Sequence, residues 1–450
     1  MEFVDRKREQ DKLRGLLNGS ETSFIIVRGR RRIGKSALIS RVLKESDVYY
    51  ESDRTASSNQ RAQLAEAIAL RFPGFADAVY KDWKSLLIAL NYRVGEKITL
   101  CLDEFPYLVE SAPELPSIIQ GLLDAGGENK LRYNLILCGS SQQMMYELTH
   151  DESSPLYGRS DADFKVGPIS LAYMPEALGI TAEDAVMEYS LWGGVPRYWR
   201  IREKAGSFAE AVGEQILTSF GSLYEEPVRL FRDDIKDTVK TSTIMSIVGS
   251  GAHRLSEIAS RCGEPATNLS RPIGKLVSLG YLERETPFGE SPKSSKRNLY
   301  QIADPFLSFY YRFVVPNRSF IELDRMTPVN HAIHISLSSH IGYWWEHICR
   351  DCVCGNVIDG VSYGQARRWW SKDLELDVVA ESLDHSTILI GECKWSEKEN
   401  GKLLTNSLME RVKGLPFVQG KKVVVKLFLK NLPAEDQGNT LLPQDVLKLL

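Results

Sequence analysis

A glycine-rich segment near the N-terminus constrains the fold more than any other feature of the sequence. Residues 23–43 read SFIIVRGRRRIGKSALISRVL, which is an apolar strand, a loop with the pattern GxxxxGK[ST] and a helix. Gly29 and Gly34 allow the loop to fold closely around phosphate groups, while the loop amides and the helix N-terminus face the anion. The order of strand, loop and helix predicts a parallel α/β sheet that binds a nucleoside triphosphate.

Polar residues of this loop and of a second strand end predict the chemistry of the site. Lys35 is placed to reach the β- and γ-phosphates of ATP, and Ser36 to hold Mg²⁺. Further along the chain, ITLCLDEFPYL is an apolar strand that ends at Asp103, where a carboxylate would lie beside the metal. Glu104 follows and is the candidate to polarise the attacking water. For such a strand end taken alone, an acidic turn in solvent is the alternative.

A third strand end, NLILCGSS, carries Ser140 and Ser141. These hydroxyls could contact the γ-phosphate or the attacking water, and a plain strand followed by a turn is the equal alternative. Each strand predicted for this sheet is short and apolar, as buried parallel strands are. The predicted strands cover residues 23–28, 48–51, 98–102 and 134–138.

Length and composition frame the rest of the chain. A chain of 450 residues predicts roughly two to four domains. The net charge of −3 gives no overall basic signature, so nucleic-acid binding would depend on local patches. The charged N-terminus lacks the apolar core of a signal peptide, no apolar run suits a bilayer crossing, and the seven cysteines are scattered. These features predict a cytoplasmic protein that does not enter a membrane, and His347, Cys349, Cys352 and Cys354 are predicted to be a buried cluster rather than a metal site.

The strand and helix patterns predict an α/β multidomain fold with an ATPase core, a helical lid, a winged helix and a C-terminal α/β domain. These domains are expected at residues 1–168, 169–235, 236–315 and 331–450, with a linker at 316–330. The strands expected in the last domain cover residues 374–380, 387–394 and 422–428.

The winged helix is predicted from three helical segments followed by two strands around the basic loop 292–297. The third helix takes the position of a recognition helix, with Arg271 and Lys275 as its main charges. Pro272 is expected to delay the start of this helix or to bend it. Recognition helices bind major grooves and a basic loop can contact phosphates, so DNA is the predicted partner, with a docked protein as the alternative.

Two C-terminal strands carry charged residues at alternate positions, which share a face in a strand. ELDVVA places Glu375 and Asp377 together, and GECKW does the same for Glu392 and Lys394. Asp377 and Glu392 would hold Mg²⁺ or Mn²⁺, and Glu346 on the preceding helix could complete the metal shell. Lys394 would orient or deprotonate a bound water. This arrangement predicts metal-dependent phosphodiester hydrolysis, and a charged strand face in solvent is the alternative.

Several short motifs together resemble a known family. GRRRIGKS, LDEFPYL, GSS, PLYGR and GGVPRYW are similar to motifs of the AAA+-related ATPases abundant in archaea and some bacteria. FVDRKREQDKL resembles their opening motif, with Asp5 in place of the usual glycine. The resemblance implies that Arg6 lies near the nucleotide base, that Arg159 is a candidate arginine finger and that Arg197 is a second sensor on the lid. Surface ion pairs are the alternative for each arginine.

The C-terminal strands resemble the PD-(D/E)xK nuclease pattern, which is appended to many ATPases of that family. Asp377, Glu392 and Lys394 match the pattern, Glu346 matches it more loosely, and Leu376 stands at its nominal proline position. The resemblance therefore implies a restriction-endonuclease-like fold for this domain, and it covers essentially the whole chain.

The leading hypothesis is a P-loop AAA+-like protein in which ATP binding and hydrolysis control a DNA-directed, metal-dependent nuclease. The alternative is a nucleotide-switched regulatory or scaffold protein whose nuclease-like domain only binds nucleic acid or a partner protein. A third hypothesis is a transcriptional regulator that acts through the winged helix alone. An arginine finger can act across a subunit boundary, so the sequence leaves a homo-oligomer open.

Overall fold

A five-stranded parallel sheet with helices on both faces forms the N-terminal part of the protein. The structure is a computed structural model and describes residues 4–127, 130–235 and 237–450, so the sequence predictions for Phe3 and Lys236 lie outside it. In chain order the elements of this part are α1 (Lys7–Leu17), β1 (Phe24–Arg28), α2 (Lys35–Ser40), β2 (Val48–Glu51), α3 (Ser57–Ala69), α4 (Trp83–Arg93), β3 (Thr99–Asp103), α5 (Phe105–Ser111), α6 (Leu115–Leu123), β4 (Asn134–Gly139), α7 (Gln142–His150) and β5 (Ala162–Lys165). The sheet order is β2-β3-β4-β1-β5, and every neighbouring pair is parallel.

The central strand β1 is apolar because both of its faces are covered. Ile25 and Val27 pack in one core with Leu13 of α1, whereas Phe24 and Ile26 pack in a second core on the other face. Since all the strands run the same way, the carboxyl ends of β1, β3 and β4 meet at one edge of the sheet. This edge is where the sequence predicts the nucleotide site.

The four strands predicted for this sheet are confirmed, with ends that differ by at most one residue. The sequence analysis missed β5, whose residues ADFK include Asp163 and Lys165. This edge strand is only partly buried, so it has no continuous apolar run that would mark it.

Helices predominate in the next part of the chain, as predicted for residues 169–235. They are α8 (Met174–Leu178), α9 (Ala182–Trp192), α10 (Pro196–Glu203), α11 (Phe208–Gln215) and α12 (Glu226–Asp234). Three helices and an antiparallel pair of strands follow, in the predicted order: α13 (Thr238–Gly249), α14 (Leu255–Cys262), α15 (Ala266–Ser278), β6 (Leu282–Glu285) and β7 (Leu299–Ile302). Helix α15 begins at Ala266, so Pro272 lies inside it and does not delay its start.

The prediction of a linker at residues 316–330 is wrong, because this segment is helical. After α16 (Pro305–Phe309) come a π-helical turn (Tyr310–Val314), a 3-10 turn (Val315–Asn317), α17 (Arg318–Glu322) and the start of α18 (Met326–Val353). Pro316 lies in the first turn of its helix, where a missing N–H costs nothing. Ile321 and Val329 are buried and hold the segment on the core.

The C-terminal part is a five-stranded mixed sheet between two helices. Its remaining elements are β8 (Val357–Ile358), β9 (Val361–Ser362), β10 (Arg367–Trp370), β11 (Glu375–Glu381), β12 (Thr387–Lys394), α19 (Gly401–Val412), β13 (Lys422–Leu429), β14 (Thr440–Leu441) and α20 (Pro443–Leu449). The order is β10-β11-β12-β13-β14, antiparallel as far as β12 and parallel beyond it. The three strands predicted here are confirmed, with ends within one residue.

The two faces of this sheet pack against different helices. Val378 and Leu389 share a core with Trp345 of α18, while Val379 shares a core with Leu408 of α19. Helix α18 also joins the domains, because the ring of its buried His340 lies 2.9 Å from the carbonyl oxygen of Ser190 in α9, measured from Nε2. Among the described residues, no helix combines the length and apolar character needed to cross a membrane.

Candidate functional site

The loop between β1 and α2 has the backbone that its two glycines predict. Gly34 has φ of 97°, in the left-handed region, and stands directly before α2. A Cβ atom on Gly29 would collide with the carbonyl oxygen of Val166. Lys35 is buried, and its Nζ lies 3.4 Å from the carbonyl oxygen of Arg30. The ammonium group is therefore held within the loop, where a phosphate would lie.

Ser36 and Asp103 meet at the carboxyl edge of the sheet. The hydroxyl of Ser36 donates to Asp103 Oδ2 at 2.7 Å. Burial alone would raise the pKa of Asp103, but hydrogen bonds from Cys138, Tyr49, Ser36 and the backbone of Glu104 hold this pKa below its usual value. A hydroxyl and an ionised carboxylate are oxygen ligands of the kind that Mg²⁺ prefers, so these two residues fit a magnesium ion.

Tyr49 belongs to this site, and the sequence analysis missed it. Its hydroxyl donates to Asp103 Oδ2 at 2.5 Å, the same oxygen that accepts from Ser36. Strand β2 pairs in parallel with β3, and this pairing brings Tyr49 beside the strand of Asp103. Only the register of the two strands reveals the contact, because nothing in the letters VYYE distinguishes Tyr49 from its neighbour.

Glu104 is held in one orientation by its neighbours. Its backbone has φ of 51°, which is uncommon for a residue other than glycine and typical of functional positions. Its Oε2 accepts from the backbone N–H of Ser140 at 3.1 Å and from the Ser140 hydroxyl at 2.8 Å. Ser140 therefore contacts Glu104, and Ser141 instead caps α7 by accepting from the N–H of Met144.

A cavity of about 460 Å³ lies over the loop and against α10. Its cationic lining residues are Arg6, Arg31, Arg32, Lys35, Arg197, Arg200 and Lys204. Among the described residues that line it, Glu104 is the single acidic one. So much positive charge in one concave site favours a polyanion such as a triphosphate.

Two of the three arginines named by the resemblance lie at this cavity. Arg6 and Arg197 both line it, and the guanidinium of Arg6 also donates to the carbonyl oxygen of Gly167. Arg159 is not among the described lining residues: its guanidinium pairs with Asp124 at 2.9 Å. Within one chain, Arg159 therefore does not reach the cavity as the finger expectation requires.

Two further arginines tie the loop to other parts of the chain, which the sequence analysis did not foresee. Arg30 pairs with Asp304 at the start of α16, with 2.7 Å between Nη1 and Oδ2. Arg32 pairs with the fully buried Glu226 of α12, which also accepts from the Tyr198 hydroxyl at 3.0 Å. The loop that would hold phosphate is thus connected directly to the helical region and to the segment after β7.

Three carboxylates converge in the C-terminal part of the protein. Glu346 of α18, Glu375 and Asp377 of β11 each place an oxygen within 4.8 Å of the others. We call this group the carboxylate cluster. The pairing of β11 with β12 begins at Val378 and Gly391. Asp377 lies one residue before this pair, where the two strands separate. Its Oδ2 accepts from the N–H of Cys393 at 2.8 Å.

The cluster fits a hard divalent cation. Burial raises the pKa of Asp377, and the charge of Glu392 raises it further. Burial also raises the pKa of Glu346, with the charge of Asp377 as the next cause. Carboxylate oxygens brought this close are suitable ligands for Mg²⁺ or Mn²⁺. Within the described parts of the chain this is the one group of three or more histidine, cysteine, aspartate or glutamate side chains close enough to hold one ion, and it includes neither His347 nor a cysteine.

Glu392, which the sequence predicts to be a metal ligand, is not one of the three carboxylates of the cluster. Its two oxygens pair with Lys394 at 2.9 Å and with Arg411 at 2.8 Å. Arg411 belongs to α19, so Glu392 is drawn to the sheet face that this helix covers. Glu375, which strand alternation groups with Asp377, is the third member of the cluster. Lys394 lies two residues after Glu392 on β12 and pairs with it; burial lowers the pKa of Lys394, but the hydrogen bond and charge of Glu392, together with the charge of Asp377, raise it overall.

The hairpin β6–β7 packs against the edge of this sheet. Glu285 of β6 lies 3.3 Å from both Arg350 and Arg368, which flank the cluster. The N–H of Phe288 donates to the carbonyl oxygen of Arg368 at 2.9 Å. In the predicted basic loop, Arg297 donates to the carbonyl oxygen of Trp370 at 2.5 Å. Arg297 therefore contacts β10 in this structure, while Lys293 and Lys296 of the same loop are exposed.

Comparisons with known proteins agree with this description of the N-terminal part. Residues 3–199 match the family model of an ATPase domain predominantly from Archaea, and residues 310–405 match a family described as archaeal and bacterial proteins of unknown function. The region around the loop is thus similar to an archaeal ATPase domain, which supports a P-loop ATPase type of function. The family match for the C-terminal part assigns it no activity.

Individual relatives extend the comparison. The uncharacterized protein MJECL04 of Methanocaldococcus jannaschii is 27% identical over 403 residues, which is 88% of each chain. The Walker-type ATPase PABY2304 of Pyrococcus abyssi has a TM-score of 0.54 at 19% identity, over 69% of this chain and 96% of that one. The ORC2 protein of Aeropyrum pernix, in its complexes with ADPNP and ADP, has a TM-score of 0.47 at 15% identity, over 72% and 95%. The Pyrococcus likeness shows that the two chains share a fold.

Proposed function

We propose that this protein binds and hydrolyses ATP at the P-loop cavity and that the nucleotide state controls metal-dependent hydrolysis of nucleic-acid phosphodiesters at the carboxylate cluster. The observation that carries the second part is the convergence of Glu346, Glu375 and Asp377, from a helix and a strand. Three carboxylates this close repel one another, and a divalent cation would offset that repulsion in addition to Arg350 and Arg368, which pair with Glu346 and Glu375.

The ATPase step rests on groups that are already in place. The loop amides and Lys35 would bind the β- and γ-phosphates, and Ser36 and Asp103 would hold Mg²⁺, which neutralises charge on the phosphate oxygens. Glu104 would accept the proton of the attacking water, and its hydrogen bonds to Ser140 fix its direction. Arg197 would stabilise the charge that develops on the γ-phosphate.

The hydrolytic step at the cluster is assigned by the chemistry of its side chains. Glu346, Glu375 and Asp377 would hold Mg²⁺ or Mn²⁺, which lowers the pKa of a bound water. Lys394, half-exposed and paired with Glu392, would orient this water towards the phosphorus atom. Arg368 lies on the other side of the cluster and would bind a substrate phosphate once Glu375 binds the cation.

Control by nucleotide is supported by the ion pairs of the loop. Arg30 and Arg32 join the P-loop to Asp304 and Glu226. A movement of the loop around phosphate would therefore displace both carboxylates. Asp304 starts the helical segment that leads into α18, and α18 carries Glu346. The nucleotide would therefore act on the cluster through this segment.

The direct test is cleavage of plasmid, linear duplex and single-stranded DNA with Mg²⁺ or Mn²⁺, with and without ATP. Wild type runs beside Asp377→Ala, Lys394→Ala and the exposed control Asp373→Ala. Cleavage lost in the first two variants and kept in the control supports the nuclease. Cleavage that survives Asp377→Ala would show a contaminating enzyme and remove the support for this function.

A nucleotide-switched regulatory or scaffold protein with an inactive C-terminal domain is the second candidate. It is favoured by the ion pairs of Glu392 with Lys394 and Arg411, which differ from the expected ligand set, and by the engaged hairpin. Calorimetric titration with Mn²⁺ separates the two candidates. Binding that Asp377→Ala abolishes supports the enzyme, whereas no binding to wild type together with intact ATP hydrolysis supports the scaffold.

DNA is the proposed partner, and a cytoplasmic homo-oligomer is the proposed setting. Since Arg159 pairs with Asp124 on the surface, it could serve the cavity of a neighbouring subunit. We expect Arg159→Ala to lower ATP turnover, and mixing it with Lys35→Ala protein to restore activity. Turnover equal to wild type in Arg159→Ala would contradict a finger role in any assembly, and Arg132→Ala, an exposed arginine before β4, is the matched control.

A further inference from the structure

Two adjoining cavities separate the α13–β7 region from the C-terminal sheet. One has a volume of about 680 Å³ and lies between α13, β7, the π-helical turn and α18. The other, of about 390 Å³, continues from it towards β10. Both are lined by Gly251, His253, Gln301 and Tyr343, so they form one channel, which we call the interdomain groove. Such volumes suit ligands of nucleotide size.

One end of the groove holds a cation without a counter-charge. Arg312, on the π-helical turn, donates to the hydroxyl of Ser339 at 2.7 Å and lies 5.3 Å from the ring of Phe313. Across the described part of the chain, no carboxylate pairs with it. Burial lowers the pKa of Arg312 from its ordinary value, since no acidic group offsets the loss of water. A half-buried guanidinium in a polar cavity is stabilised when an anion fills that cavity.

The other end of the groove reaches Glu346, one member of the carboxylate cluster. Glu346 and Arg368 line it there, opposite Arg254 of the segment before α14. Arg254 is exposed, and among the described residues no carboxylate forms an ion pair with its side chain. Glu257 also lines this end and is the one acidic side chain apart from Glu346. Cations thus lie at both ends of a passage that finishes at a candidate metal site.

The middle of the groove offers an aromatic ring and polar groups. Tyr343 lines both cavities and is held in place by edge contacts with the rings of Trp344 and His347. The backbone of Gly251, with φ of 95°, and the amide of Gln301 also line this part of the groove. Rings and cations spaced along a groove are the means by which proteins bind single strands without reading a sequence.

We propose that the interdomain groove binds a single strand of nucleic acid and leads its backbone from Arg312 past Tyr343 to the carboxylate cluster. The proposal rests on the proposed nuclease function, because it names the substrate of that same site. The groove runs between packed elements: the hairpin is joined to β10 through Phe288 and Arg368, and α18 forms the opposite wall. One strand with its bases unpaired fits such a passage, whereas two paired strands need an open surface.

The test measures binding and cleavage separately. A labelled single strand, the corresponding duplex and an RNA of the same sequence are titrated by fluorescence anisotropy in Ca²⁺, which replaces Mg²⁺ as a carboxylate ligand. We expect wild type to bind the single strand about tenfold more tightly than the duplex. Arg312→Ala and Arg254→Glu should each weaken single-strand binding about tenfold, Arg312→Lys should restore part of it, and Arg132→Ala should change nothing. An equal loss of affinity for single-stranded DNA and RNA indicates that the groove recognises the backbone and bases alone.

The outcomes separate this proposal from the function on which it rests. Arg254 is exposed, so Arg254→Glu tests the groove even if Arg312→Ala does not fold. Single-strand binding unchanged in Arg254→Glu, or duplex bound more tightly than single strand, overturns the groove and leaves the nuclease standing. Groove-dependent binding without cleavage in Mg²⁺ or Mn²⁺ supports the groove and overturns the nuclease.

Discussion

The nucleotide cavity and the carboxylate cluster have opposite charge, and the chain builds them in different ways. The cavity is lined by the consecutive residues 31–37, and most of its other charged lining residues are arginines and lysines. The cluster takes Glu346 from α18 and two carboxylates from β11. A phosphate site of the first kind needs one short loop, whereas a cation site of the second kind needs a helix and a sheet packed in one register. The cluster should therefore be more sensitive to changes in packing.

The largest expected effect separates chemistry from binding in the cavity. We expect Glu104→Gln to reduce ATP turnover by about 10²–10⁴-fold, because it removes the group that accepts the proton of the attacking water. Affinity for a fluorescent ATP analogue should remain within about twofold, since the phosphate-binding groups are untouched. Loss of nucleotide binding would instead give Glu104 a structural role through its hydrogen bonds with Ser140.

The next effect is on nucleotide binding itself. Lys35→Ala removes the buried ammonium group within the loop, and we expect nucleotide affinity to fall about 100-fold. Lys84→Ala, at an exposed position of α4, is the control. Binding of Mn²⁺ by the carboxylate cluster, measured by calorimetry, should not change. If Lys35→Ala also abolished it, the two sites would not be separate.

A third variant tests the cluster from the other side. Asp377→Asn should weaken Mn²⁺ binding at least about tenfold. The substitution removes a charged ligand and also alters the group that accepts a hydrogen bond from the Cys393 N–H. Nucleotide affinity should be unaffected. The exposed Asp373→Asn should bind Mn²⁺ as wild type does, and a comparable loss there would mean that the metal binds the surface unspecifically.

A sharper variant pair distinguishes the observed ligand set from the one that the sequence pattern implies. We expect Glu375→Gln to weaken Mn²⁺ binding by about fivefold or more, and Glu392→Gln to weaken it less, because Glu392 is paired with Lys394 and Arg411. The opposite order would show that metal binding rearranges the site and recruits Glu392.

The smallest effect concerns the magnesium of the cavity. Tyr49→Phe removes the hydroxyl that donates to Asp103, and we expect the Mg²⁺ concentration for half-maximal nucleotide binding to rise about threefold. Binding without Mg²⁺ should not change. The matched control is Tyr50→Phe, whose hydroxyl bonds to Gln63 instead. An equal shift in both variants would mean that only the stability of β2 is affected.

The contrast between the two regions also explains which features could be predicted from the sequence. The strand ends at Asp103 and Ser140 are predictable because parallel strands place their carboxyl ends at one edge. The position of Glu392 outside the carboxylate cluster is not predictable in this way, since it depends on Arg411 from a helix that follows β12. In the same way, the contact of Tyr49 with Asp103 depends on strand register. The segment at 316–330 is misread as a linker because its buried Ile321 and Val329 are few and far apart.

The docking of the hairpin on β10 is a further point that local patterns do not contain. The basic loop has the composition of a phosphate-binding loop, but Arg297 donates to the carbonyl oxygen of Trp370 and Glu285 lies between Arg350 and Arg368. These partners lie far away in the sequence. Charge composition alone therefore does not reveal that one arginine of this loop contacts β10.

The measurement that tests the account most directly compares cleavage by two nucleotide states of the protein. Glu104→Gln should hold ATP, and Lys35→Ala should stay free of nucleotide, so single-strand cleavage in Mn²⁺ and ATP is measured for both, each with and without Asp377→Asn. If nucleotide controls a metal site at the carboxylate cluster, the two variants should cleave at different rates, and neither should cleave once Asp377→Asn is added. Equal rates in both, or cleavage that survives Asp377→Asn, would contradict nucleotide control of a metal site at the carboxylate cluster.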